Sequence, residues 1–86
     1  MSLQGYRKKI DAIDHQLLKL LAERLEISKE ISDHKLKNNL PILDQEREMN
    51  LFQERIKAFQ ELGFYDETFI KGLFEMIIKK SRDLQQ

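Results

Sequence analysis

Several polar side chains in this sequence stand where helical spacing calls for apolar ones. Ile10, Ile13, Leu17 and Leu20, then Ile27 and Ile31, recur in steps of three and four, the mark of one helix face. Between Leu20 and Ile27 the stripe position is held by Arg24. A further run through Ser28, Ile31 and Lys35 keeps nearly the same side. Arg24 and Lys35 are eleven residues apart, so they project within ~20° of each other, three turns apart along the axis. A second stripe runs through Met49, Phe52, Ile56, Phe59 and Leu62, and Glu48 extends it one turn before Phe52. Asp44, Arg47 and Glu48 share a face through their spacings. The third stripe, Ile70, Leu73, Phe74, Ile77 and Ile78, leads into Ser81 and Gln85. Helical phase from Ser81 favours Gln85 over Gln86.

A charge turned inward needs a partner or a ligand that serves as one. This set has two physical explanations. Arg24 could pair with Glu48 across helices while Asp44 caps the second helix. Alternatively, Arg24, Lys35 and Arg47 outnumber Asp44 and Glu48 amid hydroxyl and amide groups, which suits a small anion carrying carboxylates and hydroxyls. Arg7 precedes Arg24 by seventeen residues, about 100° around and ~26 Å along the same helix. The two could reach one small ligand only if Arg7 came from an antiparallel second copy; alone, Arg7 reads as a solvated surface residue.

Other chemistries find less support. His15 and His34 have no second ligand at a metal spacing, and no metal is expected. Ser28 and Ser81 lack a nearby histidine base. There is no glycine-rich phosphate loop. Lysine plus arginine and aspartate plus glutamate number 15 each, a formal charge of zero, and the basic runs Arg7-Lys8-Lys9 and Lys79-Lys80 are short. Neither nucleic acid nor membrane is an expected partner. No apolar run approaches the ~20 residues that span a bilayer, and the first residues lack a secretory pattern.

Those side chains must be positioned by helices, since glycine and proline total only four and cysteine is absent. The spacing predicts an all-α fold of three helices in one domain, 1–86: about 4–38, about 43–62 and about 66–85. Asn38-Asn39-Leu40-Pro41 breaks the first, Gly63 stops the second and Asp66 caps the third. The first would be roughly 50 Å long, about twice its companions, and a lone chain would leave its stripe wet. An intertwined helical homodimer, the long helices packed on each other, is the expectation from packing alone.

The pattern resembles the all-α class (type II) of chorismate mutases over nearly the whole chain, from about Tyr6 to Gln85. The landmarks are Arg7-Lys8-Lys9-Ile10-Asp11-Ala12-Ile13-Asp14, Leu20-Leu21-Ala22-Glu23-Arg24, Lys35, and Pro41-Ile42-Leu43-Asp44-Gln45-Glu46-Arg47-Glu48. The resemblance implies a cytoplasmic isomerase that converts chorismate to prephenate without a cofactor, with two shared sites per homodimer. It implies that Arg24 and Arg7 of the other copy clamp two carboxylates. Lys35 would bind a carboxylate and the ether oxygen of the breaking bond, and Gln85 the same oxygen. Glu48, with backbone near Asp44, would hold the ring hydroxyl, Arg47 would line the site, and Ser81 would contact the ring carboxylate. Family members often continue the third helix further, so fraying of the last turn bears on Gln85. Isochorismate-pyruvate lyase shares the implied fold and cationic pocket, although its pattern is less acidic around Asp44 and Arg47-Glu48. A non-catalytic helical dimerisation or regulatory module is the alternative of another class.

Overall fold

Each helix begins at a side chain that accepts a hydrogen bond from an otherwise unpaired backbone N–H, as a helix start requires. In the computed structural model, which describes residues 2–84, Ser2 caps α1 (Leu3–Lys37) by accepting from Gly5 N at 3.1 Å. Asp44 caps α2 (Gln45–Glu61) by accepting from Arg47 N at 3.0 Å. Asp66 caps α3 (Glu67–Asp83) by accepting from Phe69 N at 3.1 Å. Three helices account for the regular structure of the described residues, the all-α arrangement that the spacing predicts.

The helix ends are equally local in origin. After α1, Asn39 takes the left-handed conformation (φ 55°) while Leu40 N donates to Lys35 O and Asn39 N to Leu36 O. After α2, Gly63 does the same (φ 97°), with Phe64 N donating to Phe59 O and Gly63 N to Gln60 O. Both are Schellman ends, and the second carries the usual apolar clasp: the Phe59 and Phe64 rings stack with centroids 5.1 Å apart. Gly63→Ala must place a Cβ on a left-handed residue, so it is expected to lower stability by about 1 kcal/mol. An unchanged urea midpoint would contradict this account of the turn.

With 35 residues α1 is ~52 Å long, and it sets the 55 Å long dimension of the molecule. The radius of gyration is 16.1 Å, against ~12 Å for a compact chain of this length. α3 packs against both α1 and α2. The buried apolar residues are Leu51, Ile70 and Ile78, and the buried polar ones are Ser28, Ser32 and Ser81. The predicted stripe of α1 is not covered: Ile10, Ile13, Leu17, Leu20 and Ile27 are each more than half exposed. The small residues Ser28 and Ser32 face inward in their place, which lets α3 approach α1 closely.

Candidate active site

The site forms where the C-terminal half of α1, the start of α2 and the end of α3 converge. α1 supplies Arg24, Ser28 and Lys35, four and seven residues apart and therefore about one and two turns apart on one side. The connection after α1 folds back across that side because Lys35 Nζ donates to Ile42 O at 2.7 Å. α2 then starts at Asp44, so its first turn presents Arg47 and Glu48. The carboxylate of Glu48 there is favoured by the helix N-terminal dipole. α3 closes the floor with Ile78, Ser81 and Arg82.

These residues line one open groove of about 280 Å³. Arg24, Lys35, Asp44, Arg47, Glu48 and Ser81, all singled out by spacing or by the family resemblance, are brought together there. Arg7 is not; it lies on the exposed N-terminal part of α1, ~26 Å along the axis from Arg24. Gln85 lies outside the described residues.

Arg24 meets a hydroxyl rather than a carboxylate: its Nη1 donates to Ser81 Oγ at 3.0 Å. The interhelical ion pair is made elsewhere. Glu48 lies 3.8 Å from Arg82 Nε, too far for a strong hydrogen bond, and Arg82 is considerably exposed. Burial first, then the charges of Arg55 and Arg47, hold the Arg24 guanidinium below its ordinary pKa. An arginine stays protonated regardless, so this marks a cation short of negative charge, which an incoming anion would relieve.

Two cations were missed by the reading of spacing. Arg55 follows Glu48 and Leu51 at the same three- and four-residue steps, so its face was legible; its Cζ sits 5.7 Å from the centre of the Phe74 ring. Arg82 stands four residues after buried Ile78. With both included, the groove carries Arg24, Lys35, Arg47, Arg55 and Arg82 against Asp44 and Glu48, an excess of three positive charges. A larger hollow of about 630 Å³ is lined by apolar side chains of α1 and α3, Leu17, Leu21, Leu73 and Phe74 among them, with Asp14 and Arg24 as its two charged members. Its lining is almost wholly apolar and offers little to orient a polar ligand, so we read it as uncovered packing surface.

The architecture is thus that of an all-helical protein with a cationic groove suited to a small organic anion. The chain belongs to the chorismate mutase type II family, whose family model matches residues 6–86. It is similar to a chorismate mutase of Methanocaldococcus jannaschii, with 36% identity over 98% of this chain and 84% of that protein. It is also similar to the bifunctional chorismate mutase/prephenate dehydratase of Escherichia coli K12, with 39% identity over 98% of this chain. The chain spans 22% of that bifunctional relative's length. Among solved structures, a conserved hypothetical protein from Pyrococcus furiosus matches with a TM-score of 0.77 and 37% identity. That match covers 98% of this chain and 95% of the other.

Proposed function

We propose that the protein catalyses the intramolecular rearrangement of chorismate to prephenate, in the cytoplasm, as a step towards phenylalanine and tyrosine. The observation that carries this reading is the groove itself: a positive excess shared by α1, α2 and α3, with carboxylates and a buried hydroxyl on its other walls. A dicarboxylate bearing a ring hydroxyl and an ether oxygen has a partner for each polar group there. One C–O bond breaks as one C–C bond forms, so no proton transfer or nucleophile is needed.

In this reading the polar groups divide the work. Arg24 and Ser81 receive the ring-side carboxylate region, and Arg24 with Arg7 of a second copy clamps the pair of carboxylates. Clamping holds the flexible side chain over the ring in a reactive chair, which removes conformational cost before the chemical step. Lys35 and Gln85 face the ether oxygen and stabilise the negative charge that grows on it. Glu48 and the backbone near Asp44 hold the ring hydroxyl, and Arg47 lines the site and steadies both carboxylates.

The second copy is part of the proposal. The uncovered stripe of α1 supports it, because each half-exposed leucine or isoleucine forgoes about 1 kcal/mol of burial. The five of them more than half exposed amount to ~5 kcal/mol, comparable with the whole net stability of a small domain. A second α1 running antiparallel would cover the stripe and carry its Arg7 towards the groove.

Incubation with chorismate and, separately, with isochorismate tests the reaction assignment. Loss of chorismate with prephenate as product is expected. Release of pyruvate from isochorismate without chorismate turnover would assign the lyase reaction instead, and ligand binding without turnover would favour a regulatory module.

A further inference from the structure

Ser28 has no histidine base beside it in sequence to make it a nucleophile, yet it is one of the most buried polar residues among those described, 6% exposed. It stands beside Ser81, 7% exposed, with the two Oγ atoms 3.1 Å apart. Ser81 Oγ also receives Arg24 Nη1 at 3.0 Å and lies 3.0 Å from Ile77 O. Ser28 Oγ lies 3.0 Å from Arg24 O. Two hydroxyls, one guanidinium and two backbone carbonyls thus form one connected set at the floor of the groove.

A count of protons shows what this set can do. Each hydroxyl has one proton and two lone pairs. With its proton on Ile77 O, Ser81 accepts from Arg24 and from Ser28, and nothing remains for an anion. A carboxylate can only accept, so to bind one Ser81 must turn its proton outward and leave Ile77 O. That carbonyl is the natural acceptor of the α3 helical ladder and does not depend on the serine. The Ser81 oxygen then still needs donors behind it. Arg24 is one, and Ser28 is the other if its proton points to Ser81 rather than to Arg24 O. Donors behind a hydroxyl polarise its outgoing O–H and strengthen the bond it gives.

We propose that Ser28 is a positioning residue, acting through Ser81 to present that hydroxyl's proton to a substrate carboxylate. The inference rests on the reading that Ser81 meets a carboxylate of chorismate. The contact is made in ground and transition state alike, so its loss falls on KM rather than on kcat. Ser28→Ala suits the helix, and the fold is expected to survive it.

Steady-state kinetics with chorismate on the unmodified protein, Ser28→Ala, Ser81→Ala and the double variant form the test. Ser28→Ala is expected to raise KM about two- to tenfold, the range of one net hydrogen bond, with kcat unchanged. In the Ser81→Ala background the same substitution is expected to change KM by less than about twofold, because its effect travels through the missing hydroxyl. An unchanged KM in Ser28→Ala, or an equal rise in both backgrounds, overturns the role of Ser28 while leaving the reaction assignment intact. No chorismate turnover by the unmodified protein overturns the assignment, and this inference with it.

Discussion

Lys35→Ala is expected to lower kcat/KM for chorismate by on the order of 10²–10³, the scale of losing one donor aimed at a developing oxyanion. Lys35 is half-buried near the end of α1 and spends one ammonium proton on Ile42 O at 2.7 Å. In the proposed site its two other protons serve a carboxylate and the ether oxygen. The last turn of α1 also holds His34 and Lys37, but both are exposed and lie about 100° and 200° around the helix from Lys35. The substitution also releases the connection between α1 and α2, so a urea midpoint should accompany the kinetics. A fall of less than about threefold, in protein that remains folded, would refute the role assigned to Lys35.

In the proposed homodimer, Arg7→Ala and Arg24→Ala are each expected to cripple the shared site, and the two variants to rescue one another when mixed. A site built from Arg24 of one copy and Arg7 of the other is intact once in every mixed dimer, because both lesions then fall on its second site. Random exchange makes about half of the dimers mixed, each with one of two sites intact. About a quarter of the unmodified activity should therefore return. A mixture no more active than the average of the separate variants would place both arginines in the same chain's site, or leave Arg7 outside it. The second outcome would make Arg7 the solvated surface residue that its position on the single chain suggests.

The helices were legible because their signals are local. Asp44 and Asp66 accept from N–H groups three residues on, and Gly63 adopts the left-handed turn that ends α2. The first helix ends through Asn39 rather than by Pro41 alone, since an asparagine can stand in the left-handed conformation and Pro41 then prevents continuation. Hydropathy spacing found the apolar stripe of α1 but could not say what covers it. Within the chain, α3 packs on the side of Ser28 and Ser32, and the isoleucines and leucines face outward. Periodicity weighs apolar side chains and passes over small polar ones that let helices approach, so Ser28 appeared as a point on a stripe and not as a neighbour of Ser81.

The polar set was legible for a similar reason. Residues three, four or eleven apart share a helix face, which is enough to group Arg24 with Lys35 and Asp44 with Arg47 and Glu48. Pairing across helices was not: Glu48 meets Arg82 and Arg24 meets Ser81. Those contacts depend on how α3 sits between its neighbours, which spacing within one helix does not encode.

A site completed by a second copy requires that the active species be a dimer. Sedimentation equilibrium at the concentration used for the chorismate assay measures this directly. The account predicts a mass of about twice the 10.3 kDa chain; a fully active species at the mass of one chain would contradict it.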